Sequence, residues 1–404
     1  MEGLFSLGPF VDFGPSLLSP DQPAPRLSQV HGQRSAQLRA QVKLMCPKGP
    51  GVYGMLDRLG HLIYVGKAKS LRTRLLGYFR TKSRDPKAGK IVGRARTIVW
   101  ECCAHEFAAL LRELELIRRW RPQWNVQGQP LRRRQAFICV GRSPAPYVFL
   151  APKPTGKADA VFGPVPAGMR TRDAIRRIND FYQLRDCPQK QDLIFADQRD
   201  LFEEPRSAGC MRLELGACLG PCVGAPKRAA YHAQARAAKR FLAGQDDTPL
   251  RIVGEQMADA AEKQQFERAA LLRDKYASLE WIWQRLDRVR QAQREMSFVY
   301  PVASCDGAVT WHLIHGARVI ASVPAPMDAA SASAMLDRLD CVYRGDAANL
   351  LECYEHADGM ALSMGWFRKH PKELERTLKP DEARAKCQAL KQTKRKPRIA
   401  SPPA

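Results

Sequence analysis

Tyr53 and Tyr64 stand in the runs Gly51-Val52-Tyr53 and Tyr64-Val65-Gly66-Lys67, on the two arms of what reads as a β-hairpin. Their phenols can therefore converge near one edge of a sheet. Arg74 and Tyr78 follow four residues apart, hence on one face of the next helix, and that face can look at the tyrosines. Glu113 interrupts a later periodic helix beside its apolar stripe, where a carboxylate is costly unless paired and a divalent cation is a good partner. This set suits phosphodiester hydrolysis, which needs an activated water, a cation on the phosphorane oxygens and help for the leaving 3′ oxygen. One Mg²⁺ or Mn²⁺ on Glu113, its other positions filled by water and phosphate, would supply the Lewis acid. Arg74 could stabilise the developing charge, and a tyrosine whose pKa is lowered by Lys67 could take the proton. Taken singly, each of these residues has an ordinary packing or solvated use. Their joint spacing does not.

A second constellation is made of thiols. Cys187, Cys210, Cys218 and Cys222 crowd into one Gly- and Pro-bearing stretch with spacing Cys-x22-Cys-x7-Cys-x3-Cys, while the other eight of the twelve cysteines read as small hydrophobes. The spacing lacks the paired Cys-x2-Cys arms of a zinc ribbon, yet four thiolates can hold either Zn²⁺ or a [4Fe–4S] cluster. A third pattern is helical: Phe266, Ala269, Ala270 and Leu272 fall on one stripe among charges, which suits a core or a partner-binding face.

The elements that must position these groups follow from periodicity. Residues 1–33 are rich in Pro, Ser and Gly without period and read as a disordered leader. Within 34–128, a helix from Ser35 to Met45, strands at Val52–Asp57, His61–Val65 and Arg96–Glu101, and helices at Lys69–Tyr78 and Glu106–Trp120 predict a small α+β domain with a central three-stranded sheet flanked by helices. Phe107, Leu110, Leu111, Leu114 and Ile117 mark the apolar face of the last helix. Residues 129–186 read as a strand/helix connector, 187–224 as the Cys-rich module and 225–250 as a basic Ala-rich helix. A helical hairpin is expected over 251–291, a small α/β region over 292–380 and a basic tail over 381–404.

Composition narrows the partner. Among 404 residues, 65 Lys and Arg face 41 Asp and Glu, a formal charge of +24, which favours a polyanion such as nucleic acid over a neutral metabolite. The apolar runs fall short of a membrane span, and the N-terminus lacks a basic n-region before an apolar stretch. A cytoplasmic chain without membrane contact is expected, with its cysteines reduced.

Gly51 to Tyr53, Tyr64 to Arg74, Tyr78, Glu113 and Asn125 together resemble the GIY-YIG nuclease domain of the bacterial UvrC excinuclease family. The resemblance implies a DNA endonuclease of nucleotide excision repair that nicks on the 3′ side of a lesion. Glu113 would be the metal ligand, Tyr53, Tyr64, Lys67, Arg74 and Tyr78 the active-site surround, and Asn125 a buried site-ordering residue. The choice of proton-accepting tyrosine stays open. Phe181 to Cys187 and Gly216 to Gly224 are similar to the same family, where the four cysteines are associated with an iron–sulfur cluster; this ranks iron–sulfur above zinc. Gln265 to Asp274 resembles the UVR motif, which implies docking of a UvrB-like partner through Phe266, Ala269 and Leu272, with the basic helix and tail as auxiliary DNA contacts. Full-length members continue with an RNase H-like nuclease and a tandem helix–hairpin–helix unit. The stretch after Met296 is too short for both, and Asp306 has no convincing acidic triad, so a short, Cho-like homologue with one nuclease is expected. A non-catalytic adaptor joining DNA to a repair partner is the alternative, and the intact tyrosine–arginine–glutamate set speaks against it.

Overall fold

Buried residues dominate 51–56 and 62–68, which are joined through Arg58-Leu59-Gly60, and the Gly60 φ of 78° suits a turn that only glycine adopts freely. The structure, a computed structural model, describes residues 9–20, 22–23, 25–80, 88–126, 135–153, 156, 158–187, 192–198, 209–304, 307–344 and 357–393. In chain order the first elements are Ser28–His31 (β1), Ser35–Met45 (α1), Gly51–Leu56 (β2), Leu62–Ala68 (β3), Leu71–Gly77 (α2), Ala88–Arg94 (α3), Thr97–Cys102 (β4), Glu106–Trp120 (α4) and Gln123–Val126 (α5). The antiparallel sheet has the order β1-β4-β2-β3, which puts the Tyr64-bearing strand at an edge. The three expected strands are all present, and β1 adds a fourth.

β1 lies inside the expected leader, and that expectation is corrected. Phe13 is buried among Val52, Leu56, Leu62 and Val65. Arg112 donates to the carbonyls of Gly14 and Pro15, and Arg119 to those of Phe13 (2.6 Å) and Pro15 (3.0 Å). The segment shows no period because it is fixed residue by residue, through side chains bonded to its backbone. Residues 1–8 lie outside the described residues.

Next come Gln135–Gly141 (β5), Val148–Ala151 (β6), Ala158–Pro166 (β7), Met169–Phe181 (α6), Met211–Glu214 (α7), Arg228–Leu242 (α8), Thr248–Glu262 (α9) and Phe266–Glu295 (α10). The sheet order is β6-β5-β7. β7 escapes a sequence reading because Gly163 and Pro164 interrupt it, which an edge strand tolerates. Ile138, Val165, Ile178, Tyr231, Phe241, Leu279 and Ile282 form the core beneath it.

Phe298–Ala303 (β8), Val309–His315 (β9) and Arg318–Pro324 (β10) then form a meander, followed by Ala329–Arg344 (α11) and helices at Ala357–Lys369, Pro371–Leu374 and Pro380–Thr393. Described residues within 1–129, 293–347 and 358–404 cluster as one unit, those within 130–292 and 348–357 as another. The expected separate region 292–380 therefore largely shares the unit of the first sheet. Phe107 and Leu111 of α4 pack with Phe298, Tyr300, Ile314, Trp366 and Phe367, while Ala109 and Leu116 pack with the β2–β3 hairpin. α4 thus has apolar contacts on two sides, more than a single stripe predicts. The expected basic tail begins as helix, since Ala383 and Cys387 are buried beside Leu339 and its charges face outward. Residues 394–404 and Asp306 lie outside the described residues. Among the described residues, no helix is long and apolar enough to cross a membrane.

Candidate active site

Register places Tyr53 opposite Gly66 and Tyr64 opposite Met55 on the β2–β3 hairpin. A Cβ at Gly66 would sit 2.5 Å from the Tyr53 hydroxyl, and one at Gly51 would collide with the Glu101 carbonyl oxygen. Both glycines are needed for close packing, not for an unusual φ. Tyr53 is fully buried and its hydroxyl lies 2.9 Å from that of Tyr78. Arg74, one turn before Tyr78, donates from Nε to Tyr53 and from Nη2 to Tyr78, each at 3.4 Å. The Tyr64 ring completes a trio, with centroids 6.2 Å from Tyr53 and 6.1 Å from Tyr78. The structure brings together all four.

Burial pushes the phenols of Tyr53, Tyr64 and Tyr78 well above the ordinary tyrosine range, and their mutual proximity adds to it. Burial alone would lower Arg74, but the surrounding phenols leave its guanidinium more basic than usual. The expectation of a tyrosine acidified by Lys67 is overturned. The Lys67 ammonium instead meets Glu106 Oε1 at 2.7 Å, and that pairing holds Glu106 below the usual carboxylate range although burial works the other way. Glu106 is the partner that sequence reasoning misses, because nothing in spacing ties the end of β3 to the first turn of α4.

Glu113 is half-buried, and its Oε1 accepts the Lys67 backbone N–H at 3.0 Å, while its charge bears on Tyr64. The carboxylate thus sits against the strand that carries Tyr64. Among the described residues no three His, Cys, Asp or Glu side chains gather as a metal cage. A hard cation held by one carboxylate, with water and phosphate completing its shell, is the chemistry this donor fits. Asn125 is buried and clamps Val65 from both ends: Oδ1 accepts the Val65 N–H and Nδ2 donates to the Val65 carbonyl, both at 2.7 Å. It fixes the edge strand between Tyr64 and Lys67 without reaching the phenols.

The cysteine stretch is tied down around its thiols. Leu219 N–H donates to Gln183 O at 2.9 Å, Ile194 N–H to Pro221 O at 2.8 Å, and Arg185 N–H to the Tyr231 hydroxyl at 3.1 Å. Cys187, Cys210, Cys218 and Cys222 are all half-buried free thiols. Burial pushes the Cys218 and Cys222 thiols up, and the charges of neighbouring thiolates, that of Cys187 among them, add to it. The four offer donor chemistry suited to Cys₄ ligation, although no three are gathered to ligating range.

α9 and α10 are joined through Lys263–Gln265, with Gln264 at φ 55°. Phe266 is 72% exposed, whereas Ala269 is half-buried and Leu272 packs on the core with Tyr276. The expected stripe is thus divided. Leu271, 68% exposed, is the apolar neighbour that faces out, and the stripe does not include it.

Two family models match: the UvrC-like GIY-YIG domain over residues 49–126 and the UvrC/Cho excinuclease middle domain over residues 137–241. UvrABC system protein C of Pseudomonas syringae pv. syringae (strain B728a) is 32% identical over 290 residues, covering 69% of this chain and 44% of that protein. The protein of the same name from Dechloromonas aromatica (strain RCB) is 32% identical over 237 residues, 58% of this chain and 37% of that one. The chain therefore spans less than half the length of these curated relatives. The magnesium-bound GIY-YIG N-terminal endonuclease domain of UvrC from Thermotoga maritima is 32% identical, with a TM-score of 0.21, covering 22% of this chain and 98% of that one. With two successive domains of one family matched in order, and relatives aligned well beyond them, the chain belongs to the UvrC family.

Proposed function

We propose that the chain is a divalent-metal-dependent DNA endonuclease of nucleotide excision repair that nicks one strand on the 3′ side of a lesion. The observation that carries this reading is the hydrogen-bonded set of Tyr53, Tyr78 and Arg74 beside a carboxylate, Glu113, pinned to the same strand as Tyr64. Mg²⁺ or Mn²⁺ on Glu113, when bound, would polarise the phosphate and lower the pKa of a water. The chain's own groups do the rest. Arg74 is placed to meet the charge that grows on the phosphorane oxygens. Tyr64, the half-buried phenol of the three, would donate a hydrogen bond to a phosphate oxygen or orient water, while the buried Tyr53 and Tyr78 hold Arg74. Asn125 holds the strand, and Lys67 with Glu106 closes its end. Glu113→Gln should reduce metal-dependent nicking of lesion-bearing duplex by more than about 100-fold while DNA binding stays within about twofold. Undiminished cleavage by that variant removes the metal role.

The finer assignments rest on the same family membership. Cys187, Cys210, Cys218 and Cys222 are assigned to one cluster, [4Fe–4S] in preference to zinc, supported by four half-buried thiols in a stretch fixed by backbone bonds. Anaerobically prepared protein should carry iron and sulfide, and Cys218→Ala should lose both and lower the melting temperature. Stoichiometric zinc without iron would move the assignment to a structural zinc site. The α9–α10 hairpin is assigned to docking of a UvrB-like partner, supported by the exposed Phe266. Phe266→Ala should weaken that binding by about 2 kcal/mol with stability nearly unchanged, whereas Leu272→Ala should lower stability instead. Normal affinity in folded Phe266→Ala protein would end the docking claim.

A further inference from the structure

α8 buries Tyr231, Ala235, Ala238 and Phe241. Its other side carries His232, Arg236 and Lys239, spaced to form one ridge along the helix. The β5–β6 loop rises against that ridge. The His232 ring meets the Pro144 carbonyl oxygen at 2.8 Å, and Arg228 Nη2 donates to the Ser143 hydroxyl at 3.0 Å, so loop and helix form one fixed wall. Between them lies a cleft of about 280 Å³, lined by Arg142, Ser143, Asp159, His232, Arg236 and Lys239. Arg142 is exposed and spends only its Nε on the Ala158 carbonyl oxygen, at 3.1 Å. Lys239 reaches Asp159 at 2.8 Å, but both side chains are about half exposed (44% and 56%), a pairing that solvent makes weak and exchangeable. Three permanent cations therefore share the cleft with one carboxylate, and Asp197 is occupied nearby in capping the Arg228 N–H at 3.0 Å.

We propose that this cleft of the middle domain is a phosphate-binding site for the DNA backbone, apart from the residues assigned to cleavage. It rests on the reading of the chain as a DNA-binding protein and adds a place where the strand is held. Arg142 comes from the loop wall and Arg236 from the helix wall, an arrangement suited to clamping a phosphate from two sides. The one aromatic ring among the described lining residues, His232, is already bonded to Pro144, so the contact is with the backbone and independent of sequence.

The test measures duplex binding by anisotropy across a salt series, in full-length Glu113→Gln protein that cannot cleave. Replacing Arg142 and Arg236 by Ala should weaken binding about tenfold and flatten the slope of log affinity against log salt by about 2, near 0.9 for each phosphate no longer neutralised. The effect should be equal on unrelated sequences, and Arg142→Lys with Arg236→Lys should retain most of the slope. Unchanged slope and affinity in folded double-Ala protein overturn the proposal, as does a loss confined to binding of a protein partner. Should Glu113→Gln still cleave, the nuclease assignment fails while the slope, read on an uncleavable phosphorothioate duplex, still decides the cleft.

Discussion

Two asparagines perform the same task in two parts of the molecule. Asn125 clamps Val65 on β3 through paired bonds of 2.7 Å, and Asn179 clamps Val148 on β6 through bonds of 3.0 and 2.8 Å. Both clamped strands are sheet edges, where a free N–H and C=O would otherwise lie open or be buried unpaired. What differs is the cargo. β3 carries Tyr64, Gly66 and Lys67 on either side of its clamp, whereas β6 carries Phe149 and Leu150, which serve packing. One device thus holds a strand of the proposed site in the first place and a packing strand in the second.

The largest effect expected from breaking this pair is in catalysis. Asn125→Ala should lower nicking by about 100-fold, since a strand displaced by about 1 Å misplaces the phenols and the Glu113 carboxylate together. It should also cost about 3 kcal/mol, because a buried donor and a buried acceptor are left without partners. Asn179→Ala should cost a similar amount in chemical denaturation yet leave nicking, measured well below its melting temperature, within about twofold. Equal catalytic losses in the two variants would erase the contrast.

A smaller, pH-dependent effect sharpens it. Tyr53 in the first unit and Tyr231 in the second are both pushed above the ordinary phenol pKa by burial. A phenol whose folded pKa is raised stabilises the fold fully below its unfolded value of about 10, and that contribution fades as pH rises from there through the folded value. Tyr53→Phe and Tyr231→Phe should each lessen the loss of stability above pH about 10, but only Tyr53→Phe should change nicking at neutral pH. Because the site phenols stay neutral, the nicking rate should show no tyrosine titration between about pH 6 and 9. A sigmoidal rise there that vanishes in Tyr64→Phe would restore a tyrosine base.

Much of the candidate site is legible in the sequence because it is local. The hairpin brings Tyr53 and Tyr64 onto paired strands, the interval from Arg74 to Tyr78 is one helical turn, and Glu113 disturbs an apolar period. The fold class follows from the same periodicities. Residues 9–33 are not legible, since Arg112 and Arg119 reach them from about a hundred positions away. Periodicity groups Leu272 with Phe266 on one stripe, yet Leu272 packs on the core and Phe266 is exposed, because six residues at about 100° each carry the two to different sides of the helix. Asn179 gives no signal at all. A lone amide in a helix becomes meaningful only once the strand it faces is known.

The rear of α4 has a consequence for its front. Arg112 is buried between Glu101 and Glu115, at 3.1 and 3.0 Å, and also grips the carbonyls of Gly14 and Pro15. Glu113 is the next residue, turned about 100° around the helix axis. A helix keyed at Arg112 resists rolling, so the bearing of the Glu113 carboxylate is set by acids and carbonyls outside the residues assigned to cleavage. The segment around Gly14 then works as a detent: it stops α4 at one angular setting, and the aim of the carboxylate is inherited from that stop.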